Sequence, residues 1–263
     1  MSEAYIHPKA KIGKNVTIGP FCYIAEHVEI GDGTILDPHV TILDYVKIGK
    51  NNKISSGAVL GSLPQDVGFA NEETWLEIGD NNLLREFSNM ARGTFHGRGK
   101  TVMGNDNMLM AYSHVAHDCI IGNGTIIVSY VALAGFSEVH DYATIGGQAG
   151  VHQFNRVGAH CMIAASSRIL KDVPPYVLTG RNPVAFYKLN LVGLRRRGFT
   201  REQIDRIESI YRTLYDSGLN VSDACVKIEN DFEESIEKRT ILDFIKSSKR
   251  GIVPKVSKFL SHD

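Results

Sequence analysis

The chain has no basic excess. Its 29 lysines and arginines are matched by 29 aspartates and glutamates. That argues against a general nucleic-acid binder, because a phosphate backbone selects for surplus positive charge. No apolar run approaches the length of a membrane span, and the opening "MSEAYIHPKAKIG" lacks the basic-then-apolar plan of a secretory signal. No stable membrane insertion is therefore expected. Cysteine is scarce. Cys22, Cys119, Cys161 and Cys225 lie far apart with no CxxC pair, which speaks against a disulfide framework and for reduced thiols in a cytoplasmic protein.

What the chain does have is a beat. From Ile6, every sixth residue is aliphatic: Ile12, Ile18, Ile24, Ile30, Leu36, Ile42, Ile48, Ile54 and Leu60. After an interruption the series returns in the same phase at Ile78, Leu84 and Met90. A second interruption shifts it by one, and it then runs from Met103 through Leu109, Val115 and Ile121 to Ile169. A period of six fits neither a helix at about 3.6 nor an ordinary strand at about 2. It fits a solenoid in which each hexad is a short strand and a corner, and three hexads close one coil. The aliphatic residue points inward; the glycine that often follows it is expected to relax the corner. Cys22, Cys119 and Cys161 each stand two residues before an inward position, so they read as small buried hydrophobes.

The interruptions, "SLPQDVGFANEETW" (62–75) and "RGTFHGRGKT" (92–101), must leave the coil as loops, the usual place for binding residues. The coil is expected to end near "KDVPPYVLTGRNP" (171–183), where paired prolines oppose strand pairing. Thr200 and Gln203 then form a capping box before an apolar stripe at helical spacing: Ile204, Ile207, Ile210, Tyr211, Leu214. Further helices are expected over 222–232 and 235–248. The expected organisation is 1–183 as β-helix and 184–263 as a small α-helical domain.

"AYSHVAHDCIIGNG" (111–124) concentrates proton-transfer chemistry. Val115 is inward, which puts His114 and His117 off the core lattice. Residues eighteen apart stack, so Gly135 lies over His117 and Gln153 one coil beyond. Glycine beside histidine leaves room for a substrate and lets a backbone N–H approach it, a base-plus-oxyanion-donor arrangement. His140, His152 and His160 fall in the same stretch of coils, whereas His7, His27 and His39 read as solvated. Asp118 can reach His117 only if the pair lies near a corner, because neighbours in a strand face opposite ways.

"HVAHDC" (114–119), "GVHQF" (150–154), "DVPPYV" (172–177) and "GLRRRGFT" (193–200) together resemble the UDP-N-acetylglucosamine 3-O-acyltransferases, a hexapeptide-repeat acyltransferase family. The resemblance spans nearly the whole chain. It implies an all-β left-handed parallel β-helix followed by a small α-helical domain. It also implies transfer of a 3-hydroxyacyl chain from acyl carrier protein to a UDP-sugar, beginning lipid A synthesis in the cytoplasm. His117 then corresponds to the general base, Asp118 to the group that polarises it, and Gly135 to the oxyanion donor. Family substrate contacts fall on Gln65, Asp66, His114, His152, Gln153, Asn190, Arg196 and Arg197, with the lipid groove ending between Ala165 and Lys171. The resemblance implies a homotrimer with sites between subunits, and neither metal nor organic cofactor.

Two positions depart from the family pattern. Gly68 replaces the lysine of a QD-x-K loop motif, and Phe136 replaces a histidine after the oxyanion glycine. Both touch the sugar-nucleotide end of the pocket and keep open a 3-amino acceptor, which would give an amide. Two other classes stand beside this reading: a zinc hydratase on the same scaffold, and a solenoid without catalysis.

Overall fold

The computed structural model describes residues 3–180 and 183–256. Each hexad forms a strand of two to four residues, and each strand pairs in parallel with the strand one coil away. Three sheets result, of nine, eight and ten strands, and they enclose one core. The inward series is buried as the period requires: Ile24, Ile42, Leu60, Met90, Val115 and Leu133 are each 0 % exposed. Ile6 and Ile12 are exposed, since the first coil stacks on one side only. All four cysteines are buried, and burial pushes the Cys119 and Cys161 thiols up to about 12, so they stay protonated and inert.

Residues 63–74 and 92–99 lie outside the strands. Val59 pairs with Asn89 and Asn89 with His114, so the register survives each insertion. A buried amide ladder carries one corner past both breaks. Asn52 Oδ1 accepts the Asn82 amide at 2.8 Å, Asn82 Oδ1 the Asn107 amide at 2.9 Å, and Asn107 Oδ1 the Thr125 amide at 2.8 Å.

Most glycines that follow an inward residue have a different task from the one expected, although Gly61 is left-handed with a φ of 82°. Gly13, Gly19, Gly31 and Gly49 are not left-handed; a Cβ on Gly31 would lie 2.5 Å from the backbone of Gly49 in the next coil. They allow close stacking. The left-handed corner residues are mostly asparagine, aspartate and aromatics, among them Asp118, Tyr130, Phe136 and Phe154.

Strand pairing continues past Pro174 and Pro175. Val177–Gly180 joins the third sheet in parallel, and Ala185–Leu189 folds back on it antiparallel, beyond residue 183. The prolines themselves stand outside the ladder. Among the described residues four helices follow: α1 (Leu191–Arg196), α2 (Arg201–Asp216), α3 (Val221–Asp231) and α4 (Ile236–Lys246). The Thr200–Gln203 capping box is formed, whereas the short α1 gave no sequence signal of its own. Ile207, Ile210 and Leu214 bury the stripe of α2. Arg156 fastens the tail to the coil, reaching Asp172 at 2.9 Å and the Phe244 carbonyl at 2.8 Å.

Candidate active site

Asp118 turns the corner after the strand His114–Val115 with a φ of 59°. That left-handed turn answers the geometric condition set by the sequence. It brings the carboxylate of Asp118 back to its own neighbour, and Oδ2 stands 2.9 Å from His117 Nδ1. Asp118 is wholly buried, and every other partner of its carboxylate donates: Thr94 N at 3.1 and 3.2 Å, Thr94 Oγ1 at 2.7 Å, and Arg98 N at 2.7 Å. A carboxylate so placed accepts from the ring as well. The proton of neutral His117 therefore sits on Nδ1, and Nε2 keeps its lone pair.

The 92–99 loop is thus built around Asp118. A Cβ on Gly97 would lie 2.5 Å from the Asp118 carboxyl carbon, so only glycine lets the loop close. Arg98 also donates to the Asp118 carbonyl and pairs with Glu138. Nothing in the sequence identified Thr94 or Arg98, because they come from a loop outside the hexad register.

His117 Nε2 faces Gly135. A Cβ there would come within 2.7 Å of Nε2 and Cε1, so the absent side chain is the space in front of that nitrogen. The Gly135 carbonyl accepts from Phe154, whereas its N–H donates to no described residue. The amides of Ala111, Ser129 and Gly147, which open other corners, are unspent in the same way. The coil leaves such a donor at its corners, and at Gly135 that donor lies beside an imidazole.

A cleft of about 430 Å³ opens here, and Gln65, His114, His117, Gly135, His152 and Gln153 line it together. His114 Nδ1 stands 2.9 Å from Asn89 Oδ1. Burial, and then the nearby His117, hold the His114 pKa below its ordinary value, so it stays neutral. Asp66 reaches in from the 63–74 loop, its Oδ2 3.8 Å from His117 Nε2. Its carboxyl is held below the usual range by the Gly68 amide and then by the imidazoles of His96 and His117. Arg168 and Leu170, from the segment expected to end the lipid groove, line the same cleft. Arg168 was missed, although it lies eighteen residues beyond Gly150 and pairs with it.

Other expected residues fall elsewhere. Phe136 packs edge-on against His117 at 5.4 Å and stacks on Phe154 at 4.7 Å. It lines a neighbouring cleft with Arg98, Glu138, Arg156 and Lys171. The corner that places Asp118 also turns the Phe136 ring away from the first cleft. Gly68 is exposed beside Asp66. Asn190 caps α1, accepting from Gly193 N at 3.2 Å and donating to the His160 carbonyl at 3.0 Å. Arg197 lies over Tyr142 at 4.2 Å, and Arg196 is exposed at the end of α1. These three sit at a different corner from His117. His160 belongs there too, stacked between Tyr142 and Tyr176, and so leaves the expected histidine cluster.

A parallel β-helix of hexads, with a histidine gripped by a buried carboxylate and facing a glycine gap, defines the class: a hexapeptide-repeat acyltransferase. The bacterial hexapeptide transferase repeat matches residues 9–43, 27–62 and 100–135, and the second domain of UDP-N-acetylglucosamine O-acyltransferase matches residues 172–253. The acyl-[acyl-carrier-protein]–UDP-N-acetylglucosamine O-acyltransferase of Thiobacillus denitrificans is 44 % identical over 95 % of this chain and 97 % of its own. Among solved structures, the UDP-N-acetylglucosamine acyltransferase of Bacteroides fragilis is 48 % identical with a TM-score of 0.93, covering 95 % of this chain and 98 % of its own. The Francisella novicida enzyme is 39 % identical with a TM-score of 0.94, over 100 % of this chain and 99 % of its own. The chain belongs to the acyl-[acyl-carrier-protein]–UDP-N-acetylglucosamine O-acyltransferase family, and its β-helix is left-handed.

Proposed function

We infer that the chain moves a 3-hydroxyacyl group from acyl carrier protein to the 3-hydroxyl of UDP-N-acetylglucosamine, the opening step of lipid A synthesis. The observation that carries this is His117, its Nδ1 held by Asp118 and its Nε2 aimed into the gap at Gly135. His117 Nε2 takes the hydroxyl proton as the sugar oxygen attacks the thioester carbonyl. The carbonyl electrons move onto oxygen, where the unspent Gly135 N–H can donate. Collapse restores the carbonyl and expels the carrier's thiolate, which takes the proton back from His117. Electrons and protons balance with no metal or organic cofactor. Gln65, Asp66, His114, His152 and Gln153 surround the reacting groups from the cleft walls.

The same balance would serve a 3-amino acceptor. Phe136, one of the two departures that suggested it, faces the neighbouring cleft, so the hydroxyl is preferred. Mass spectrometry of products, with both acceptors competing for one acyl carrier, should show the ester dominant. An amide in excess would reverse the assignment.

Three chains in a ring would complete the site. Support comes from an uncovered aromatic ridge on another corner, where Phe87, Tyr112 and Tyr130 stack and are each more than half exposed. In such a ring Asn190, Arg196 and Arg197 of one chain would stand near the cleft of the next, the arginines suited to phosphate or an acidic carrier. The setting is cytoplasmic, in keeping with four free, buried thiols; no helix of the described residues is long and apolar enough to cross a membrane.

A further inference from the structure

Asp66 lies between two imidazoles. Its Oδ1 accepts the Gly68 amide at 2.7 Å. Its Oδ2 is 3.5 Å from His96 Nε2 and 3.8 Å from His117 Nε2. The second approach conflicts with catalysis, because Nε2 is the atom that must take the substrate's proton. A carboxylate that closed on it would favour the protonated ring and fill the place of the incoming hydroxyl.

His96 reaches the same oxygen from the other side. It extends from the 92–99 loop, which is itself tied to Asp118 through Thr94 and Arg98. A second tie joins the two loops: Glu72 accepts the Ala70 amide at 2.7 Å and the Phe95 amide at 3.1 Å. Position 68 keeps the space clear. Gly68 is not left-handed, so its backbone does not demand glycine; a Cβ there would lie 3.2 Å from Asp66 Oδ1 and 3.5 Å from His96 Cε1. The volume that a longer side chain at 68 would claim is therefore left to the His96 ring.

We propose that His96 is a positioning residue that holds the Asp66 carboxylate off His117 Nε2 and turns it toward the hydroxyls of the acceptor sugar. The inference rests on the reading of His117 as the base. Sugar hydroxyls are the fitting ligand, because an ionised carboxylate accepts from hydroxyls and repels a diphosphate. The groups facing His96 are Asp66 and, farther off, Glu72; those facing His117 are Asp118, Asp66 and His114. In the absence of His96, Asp66 has one imidazole left to approach, and that is the base.

The test compares His96→Ala, His96→Gln and His117→Ala in the full-length enzyme, with UDP-N-acetylglucosamine and one acyl carrier across the neutral pH range. His96→Ala should raise KM for the sugar nucleotide about tenfold, the size of one charge-assisted hydrogen bond. It should also move the acid limb of kcat/KM to higher pH, because an anion drawn to Nε2 keeps the base protonated longer. His96→Gln retains an N–H for Asp66 and should restore both. Adding Asp66→Asn to His96→Ala should return the limb to its wild-type position. A purely structural histidine would lower all rates without moving the limb. His96→Ala with KM within twofold and an unmoved limb would overturn the proposal while an inactive His117→Ala leaves the base in place. An active His117→Ala would overturn both.

Discussion

Asp118→Asn offers a sharp test of how the base is held. The carboxylate receives four donor groups: Thr94 N, Thr94 Oγ1, Arg98 N and His117 Nδ1. An asparagine can enter in two ways. With its NH2 in the place of Oδ1, it confronts Arg98 N–H and leaves buried donors unpaired, at about 1–3 kcal/mol each. With its NH2 in the place of Oδ2, the Thr94 hydroxyl can rotate to accept, and His117 can accept at Nδ1 by changing tautomer. The second arrangement costs least, about 1 kcal/mol for a weaker set of hydrogen bonds. It also places the ring proton on Nε2, where the lone pair is needed. The expected variant is folded, with Tm lower by about 2–4 °C for each kcal/mol lost. Its turnover should fall at least ~10²-fold, the lower bound for a positioned base. The buried donor cage thus makes Asp118→Asn nearly as severe as His117→Ala. Raising the pH should not help, since the misplaced proton belongs to a neutral ring. Initial rates beside a thermal melt decide the matter. Turnover above a tenth of wild type, or recovery in alkali, would refute the tautomer argument.

Gly135→Ala should melt close to wild type, because Gly135 has no left-handed φ, yet lose at least ~10²-fold in turnover as its methyl meets His117 Nε2 at 2.7 Å; normal kcat would remove the gap from the mechanism. Analytical ultracentrifugation should find a species near three times the 29.0 kDa chain mass. Placing aspartate at both Tyr112 and Tyr130, whose rings are 51 % and 58 % exposed, should dissociate it with loss of activity; a fully active monomer would sink the shared site.

The fold was legible because its code is local. A six-residue period fixes which side chain points inward, and two interruptions fix where loops must leave. Val59 pairing with Asn89 shows why the phase survives the first break: the inserted length is a whole number of hexads. The second break shifts the phase by one because its loop is not. What stayed illegible was the use of glycine. The period marks Gly31 and Gly49, but their role is to let two backbones meet across eighteen residues, and a one-dimensional pattern cannot separate that from a turn.

The site was legible only where it obeyed the same code. His117 and Gly135 are one coil apart, so counting brings them together, and the structure sets them in contact. Counting also places His160 one coil beyond Tyr142; closeness to His117 along the chain does not make it close in space. Each coil has three corners, and Tyr142 and His160 turn a different one from Asp118. The groups gathered around Asp118 and Asp66 obey no period. Thr94, His96 and Arg98 come from a loop outside the register, and what gathers them is a single buried charge and its neighbour Asp66. A wholly buried carboxylate must collect donors wherever the chain can supply them. The loop closes on Asp118 because Gly97 permits it, and its closing carries His96 over Asp66. The 92–99 loop thus holds Asp118 and faces Asp66 at once, which joins the setting of the His117 ring to that of the 63–74 loop.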